Sequence, residues 1–277
     1  GEALINHPDL AGVTFTGSHE VGMHLYRIMA GGAYPRPCIT EMGGKNACIV
    51  TANGDMERAV PGIVRSAYGL TGQKCSALSR VYVEESVADE LLERVVEATR
   101  AVTVGDPCRR EIWMGPVINE TAARNFERYC AELENKGGRI LLGGNRLTDG
   151  DFAHGHFVEC TVVEAPVDHP LFLEEMFEPI LMVGRVKDVR EGVALSNQSS
   201  LGLTGGCYGD DEEVQYFLDN IEAGVLYVNR PQGATTGAWP GYQAFGGWKG
   251  SGSTGKAIGS YYYLPLYLRE QSHTVVE

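Results

Sequence analysis

The chain has 277 residues, 43% of them apolar and 21% charged, with a formal net charge of −13. That length supports a large core and two domains, and the composition is that of a globular protein. An acidic chain without a basic patch excludes nucleic acid as the expected partner, and no apolar run approaches the roughly 18 residues a membrane span needs.

The first residues, Gly1-Glu2-Ala3-Leu4-Ile5-Asn6-His7-Pro8, have neither the basic start nor the apolar core of a secretory leader. Cysteines stand at 38, 48, 75, 108, 130, 160 and 207, an odd number with no CxxC spacing. That pattern predicts reduced thiols in a cytoplasmic protein, neither a disulfide frame nor a metal site.

Gly12-Val13-Thr14-Phe15-Thr16-Gly17-Ser18 reads as a short buried strand running into a turn. Ser18 caps a predicted helix over 19–31, whose apolar face is Val21, Met23, Leu25, Ile28 and Met29. Such a strand–turn–helix junction offers free N–H groups and a positive dipole end to an anion. An ordinary capped helix is the alternative, and these residues alone favour it. Pro37-Cys38-Ile39-Thr40-Glu41-Met42 reads as a strand ending in Gly43-Gly44-Lys45-Asn46, with a second strand at Ala47-Cys48-Ile49-Val50. Gly-Gly-Lys-Asn is not a P-loop, since it lacks the upstream glycine and the Ser/Thr after lysine. Glu41 is a carboxylate at a strand end beside a glycine pair, where a cleft can form; a lone Glu is more often solvated.

Asp55 caps a helix over 56–70 that leads to Gly72-Gln73-Lys74-Cys75-Ser76-Ala77. A cysteine in such a small-residue turn has its thiol beside backbone N–H groups and a lysine, a setting expected to favour the nucleophilic thiolate. On the hexapeptide alone the commoner reading, a small buried hydrophobe, stays ahead. Ser79-Arg80-Val81-Tyr82-Val83 alternates as a strand, and residues 86–102 form the clearest helix, broken at Gly105-Asp106-Pro107. A further helix over 120–136 stops at Gly137-Gly138. Strand-like pieces follow at 139–142, 157–163, 179–186, 204–208 and 224–229, with helices at 188–196 and 211–221. The alternation predicts an α/β fold with a mostly parallel sheet.

Residues 230–255 are rich in glycine and also carry Trp239, Tyr242, Phe245 and Trp248, the pattern of a loop that lines a pocket. Tyr263-Leu264-Pro265-Leu266-Tyr267-Leu268 reads as a terminal strand without a partner in its own chain, hence an expected homo-oligomer. His154-Gly155-His156 has no nearby third ligand and reads as a loop, and no histidine stands in a motif beside Cys75, against a Cys–His protease.

Six segments, in this order, resemble the aldehyde dehydrogenase superfamily: Phe15-Thr16-Gly17-Ser18, Glu41-Met42-Gly43-Gly44-Lys45, Gly72-Gln73-Lys74-Cys75, Glu174-Glu175-Met176-Phe177-Glu178-Pro179, Asn229, and Phe245-Gly246-Gly247-Trp248-Lys249-Gly250-Ser251-Gly252. Within that family, Gln73-Lys74-Cys75-Ser76-Ala77, Leu203-Thr204-Gly205-Gly206, Asn229-Arg230 and Thr236-Gly237-Ala238 are most similar to members that oxidise L-glutamate γ-semialdehyde. The resemblance implies the tail of a Rossmann-like NAD-binding domain over 1–42, a catalytic domain with a mostly parallel sheet over 43–250, and a C-terminal oligomerisation arm over 251–277.

It implies Cys75 as the nucleophile that adds to the aldehyde and Glu41 as the general base that hydrolyses the resulting thioester. The Cys75 N–H forms half of an oxyanion hole. NAD is the implied cofactor, with Gly17 and Ser18 at its pyrophosphate, Glu175 on the nicotinamide ribose and Phe177 beside it. Ser76 and the N–H groups of Gly237 and Ala238 are implied to hold the substrate α-carboxylate, and Phe245 to line its aliphatic part. The substrate is thus a small-molecule aldehyde with a charged far end.

The chain departs from the family pattern in places. Glu178 stands where glycine is usual, which is expected to add charge near the cofactor ribose; residues 231–235 look like an insertion; and Pro240 and Ala244 are atypical. Family members are also much longer, and this chain starts near the end of their cofactor domain. The expectation is a fragment, or one half of a split enzyme whose N-terminal half acts in trans, binding NAD weakly by itself. The alternatives are a different aldehyde specificity and a non-catalytic remnant or partner subunit.

Overall fold

The structure is a computed structural model, and it describes residues 1–234, 243–256, 258 and 260–277. In chain order these form α1 (Glu2–Ile5), β1 (Val13–Thr16), α2 (His19–Ala30), β2 (Cys38–Glu41), β3 (Asn46–Val50) and α3 (Met56–Tyr68). Next come β4 (Leu78–Glu84), α4 (Ala88–Arg100), α5 (Glu120–Asn135), β5 (Arg139–Leu142), β6 (Arg146–Leu147), β7 (Phe157–Val158) and β8 (Thr161–Glu164). The chain continues through β9 (Ile180–Val186), α6 (Val189–Ser196), β10 (Leu201–Gly202), β11 (Thr204–Tyr208), α7 (Asp211–Asn220), β12 (Val225–Val228) and β13 (Trp248–Lys249).

The predicted helices form where their caps put them. The Ser18 hydroxyl accepts from the Val21 N–H at the start of α2, and the Asp55 carboxylate accepts from the N–H groups of Glu57 and Arg58 at the start of α3. Each satisfies N–H groups that the first helical turn leaves unpaired. One expectation fails. The stretch around 263–268 is not a strand but a single 3-10 turn, Leu264–Tyr267. Pro265 at its first turn fixes φ and removes a backbone donor that a ladder needs, and the rings of Tyr263 and Tyr267 pack edge to face at 5.8 Å.

The centre of the molecule is a seven-stranded sheet in the order β12-β11-β3-β4-β9-β8-β5. Every neighbouring pair runs parallel except β5 with β8, as the strand–helix alternation predicts. Side chains alternate across each strand. Ala47 and Ile49 of β3 face a core with Phe126, Leu133, Val193 and Phe217 from α5, α6 and α7. Cys48 and Val50 face the opposite core, with Ile63 and Val64 of α3 and Leu91 and Val95 of α4. Helices therefore cover both faces, which is why the strands read as continuous apolar runs.

The first 42 residues make a separate small layer. β1 and β2 pair in parallel, from Val13 with Cys38 to Thr16 with Glu41, and α2 closes a core of Ile5, Leu25, Met29 and Cys38. Residues 251–253 run along β2: Met42 N–H bonds Ser251 O at 2.8 Å and Ser253 N–H bonds Thr40 O at 3.0 Å. This strap joins the small layer to the large sheet.

Candidate active site

The cleft opens where the carboxyl end of the β1–β2 pair meets the amino ends of β3, β4, β9 and β11. Glu41 is the last residue of β2, Asn46 the first of β3 and Thr204 the first of β11; Cys75 lies just before β4 and Glu178 just before β9. Ligands of open α/β sheets usually sit at the carboxyl ends of the strands. Here Glu41 stands at that end of the small layer, whereas the large sheet contributes the amino ends of its strands.

Cys75 is delivered by an unusual turn. After α3, Leu70 (φ 53°), Thr71 (φ 60°) and Gly72 (φ 65°) are all left-handed, a conformation that costs about 1–3 kcal/mol for each non-glycine residue. Glycine is required at 72 on two counts, because a Cβ there would also meet Glu178 O at 2.7 Å. Asn46 then fixes the loop. Its amide donates to Cys75 O at 2.8 Å and Ala77 O at 2.7 Å, while its oxygen accepts from Thr204 N–H at 2.9 Å. The sequence reading passed over Asn46; a lone amide opening an apolar strand is the signal that points to it.

The Cys75 side chain is half-buried and packs against Leu203, Val225 and Phe245. Phe245, expected from the sequence to line the pocket, is therefore at the thiol. The expectation that Lys74 and the backbone favour the thiolate is corrected by the balance of forces. Burial raises the thiol pKa, Glu175 and Glu41 raise it further, and the Ser76 N–H and Lys74 only offset part of this. The sulfur rests as a thiol that needs a base. Ser76 itself is buried beside it.

Glu41 is 5% exposed, and Gly247 N–H donates to its carboxylate at 3.1 Å. Burial pushes its pKa up to about 7, with that single hydrogen bond opposing. Gly17 N–H bonds the Glu41 carbonyl at 3.1 Å, so the exposed Gly17-Ser18 turn stands beside the same strand end.

On the other wall, Glu175 rests on the glycine pair. Its carboxylate accepts from Gly44 N–H at 2.8 Å, and a Cβ on Gly43 would overlap it. Burial raises its pKa, against the Gly44 N–H, Lys45 and His19. Phe177, left-handed at φ 58° and 43% exposed, turns its ring outward. Glu178 corrects a second expectation. It is 6% exposed, its Oε2 has no partner among the described residues, and burial lifts its pKa to about 8. A carboxyl in that state is protonated at neutral pH and adds no charge. Gly237 and Ala238, expected to hold a carboxylate, lie outside the described residues.

A half-buried thiol electrostatically coupled to a carboxyl of raised pKa, where two α/β layers meet, marks a class: α/β proteins that carry the groups covalent chemistry on an electrophilic carbon needs. The comparisons with known proteins narrow the class. The model of the aldehyde dehydrogenase family matches residues 1–272, and the chain belongs to that family. A 1-pyrroline-5-carboxylate dehydrogenase from Geobacillus sp. (strain WCH70) is 37% identical over 283 residues, covering 100% of this chain and 53% of the relative. That of Bacillus mycoides (strain KBAB4) is 37% identical over 278 residues, covering 98% of this chain and 52% of the relative. The chain thus spans about half the length of the curated relatives it matches.

Among solved structures, a 1-pyrroline-5-carboxylate dehydrogenase from Thermus with bound NAD superimposes with a TM-score of 0.88 at 37% identity, covering 97% of this chain and 51% of that one. A betaine aldehyde dehydrogenase from Staphylococcus aureus in complex with NAD+ gives 0.84 at 28% identity, covering 91% and 49%. No helix among the described residues is long and apolar enough to cross a membrane.

Proposed function

We propose that this chain carries the catalytic machinery of an NAD-dependent oxidation of L-glutamate γ-semialdehyde to L-glutamate. The observation that carries the reading is the pairing of Cys75, whose sulfur is bonded by Ser76 N–H, with Glu41, whose carboxyl titrates near 7. The relatives' names supply the substrate.

Glu41 takes the Cys75 thiol proton as the sulfur adds to the aldehyde carbon, the developing oxyanion is met by the Cys75 N–H, and Glu41 passes that proton to solvent before the hydrolytic step. NAD, when bound, supplies the hydride acceptor. Loss of hydride from the thiohemiacetal leaves a thioester on Cys75. Glu41 then takes a proton from water, the hydroxide displaces the sulfur, and glutamate leaves as Glu41 returns that proton to the Cys75 sulfur, restoring the thiol and the carboxylate. A base of pKa about 7 suits this step, being ionised in a large fraction of molecules at neutral pH without being too weak to accept a proton.

The residues present fit the nicotinamide end of NAD. Glu175 lies on a ledge that only glycine permits, with a carboxylate oxygen to spare for ribose hydroxyls. Phe177 offers an open ring face, and Ser18 and Gly17 open α2 toward an anion. We assign Ser76 and the N–H groups of Gly237 and Ala238 to the substrate α-carboxylate, and Phe245 to its methylenes. We further assign 1–42 to the tail of a cofactor domain, 43–250 to the catalytic domain and 251–277 to an oligomerisation arm of a homo-oligomer. The free cysteines agree with a cytoplasmic setting.

The test is NADH formation from glutamate γ-semialdehyde, succinate semialdehyde and an unfunctionalised aliphatic aldehyde, paired with rates of Cys75 alkylation. The reading expects the first substrate to give the highest kcat/KM and to protect Cys75 from iodoacetamide. Equal kcat/KM for all three overturns the substrate, and alkylation of Cys75 no faster than that of buried Cys48 overturns the nucleophile.

A further inference from the structure

Lys45 has no place in the chemistry above, yet it is the least expected side chain near the cleft. It is 2% exposed, and its Nζ has no hydrogen-bond partner among the described residues. Its backbone is fixed, with the carbonyl accepting from Arg80 Nε at 2.9 Å. An unpaired ammonium taken out of water is strongly disfavoured, so a fold that keeps one there neutralises it or answers it with a nearby anion. Burial brings the Lys45 pKa down to about 7 and Arg80 adds to this, while Glu175 and then Glu174 pull it back up. Glu174 is exposed and takes the Tyr129 hydroxyl at 3.4 Å, so water screens it. Glu175 is half-buried, rests on the backbone of the two residues preceding Lys45, and is lowered by Lys45 in return.

We propose that Lys45 is the positioning residue for Glu175: through space, it supplies the counter-charge that keeps this carboxylate ionised and available to the vicinal hydroxyls of a bound ribose. The inference rests on the reading of Glu175 as the ribose ligand. The pair has two forms related by one proton: neutral carboxyl with neutral amine, and carboxylate with ammonium. Passing the proton from the Glu175 carboxyl to Lys45 Nζ changes no net charge, and two hydroxyl donors on the carboxylate favour the ionic form. The other titratable groups facing the pair are His19, Cys75, Arg80 and Glu174.

The test reads both ends of the pair in the chain without cofactor. With glutamate labelled at the side-chain carboxyl carbon, the Glu175 resonance, identified by its loss in Glu175→Gln, is titrated by NMR. Lys45→Met should move its midpoint up by about one pH unit or more. Conversely, Glu175→Gln should move the Lys45 Nζ midpoint down, and this measurement stands even if Lys45→Met does not fold. Midpoints that stay in place overturn the coupling.

NAD dissociation constants across the single and double variants then separate the two claims. Lys45→Met should weaken NAD about tenfold beside Glu175, and hardly at all beside Gln at that position. Equal weakening in both backgrounds makes Lys45 merely structural and overturns the proposal. NAD binding untouched by Glu175→Gln overturns the ribose role of Glu175 instead, leaving the midpoints to judge the coupling.

Discussion

Glu41 and Glu120 are the same residue type shifted in opposite directions. On the flank of the molecule, Glu120 is driven down to about 2 by hydrogen bonds from Arg146 and Arg124, and Arg185 is held by Asp89, Glu164 and Glu85. In the cleft, Glu41, Glu175 and Glu178 all move the other way, with burial the first cause in each case. No ion pair within 4.0 Å involves any of the three among the described residues. The flank spends its charge on itself, whereas burial in the cleft raises its carboxyls above their ordinary range, where a ligand or a proton can more readily change their state.

The sharpest way to break the contrast is at the thiol. Cys75→Ala should lower aldehyde oxidation by at least about 1,000-fold, read as NADH formation, whereas removing any flank charge should leave it unchanged. Glu41→Gln should cost roughly 100-fold or more and trap the thioester, visible as added mass on the protein. In the native chain that hydrolytic step should rise with pH through about 7, because only the ionised carboxylate accepts a proton.

Arg80 extends the comparison inward. It is 2% exposed and bonds Lys45 O, Phe172 O, Ser196 O and the Tyr82 hydroxyl, so Arg80→Met leaves three buried carbonyls short of a donor. The expected loss is about 3–5 kcal/mol, measured as a fall in thermal midpoint.

Glu178→Gln should act through pH. The native carboxyl keeps its proton up to about 8, while the unfolded chain gives it up near the ordinary glutamate value. Protonation therefore favours the native state, and stability drains as pH rises between the two values. The substitution should flatten that slope and leave the chain about 3–5 kcal/mol more stable above pH 8, seen in denaturant midpoints. Smallest of all, Arg185→Met should cost about 1 kcal/mol or less despite its three carboxylate partners, and less still at high salt, because water already screens the pair.

What the sequence disclosed follows the range of the forces involved. Ser18 and Asp55 cap helices through residues two or three places away, so both were legible. Cys75 and Glu41 stood in short motifs whose order survives in one dimension. Asn46 acts on residues 75–77 and 204, and Arg80 on residues 45, 172 and 196; no local pattern announces such distant partners. The burial of Lys45 and Glu178, which moves the pKa of each toward neutrality, depends on how the strand ends converge. Leu70 and Thr71 adopt a backbone that their own types disfavour, so the turn that presents Cys75 carries no signature either.

Because Glu41 ends a strand of the small layer while Cys75 lies in the turn that leads into a strand of the large sheet, the two never share a rigid element. Their alignment is held by the serine strap at 251–253, where Ser251 Oγ donates to Gly43 O at 2.6 Å and Ser253 Oγ to Cys38 O at 2.9 Å. A slip of about 1 Å along that seam is enough to cost on the order of 100-fold in rate with every helix and strand intact. Silencing this molecule therefore does not require denaturing it: a wedge at the strap, which pairs with the backbone of Glu41 and Met42 and touches no reacting atom, would do so.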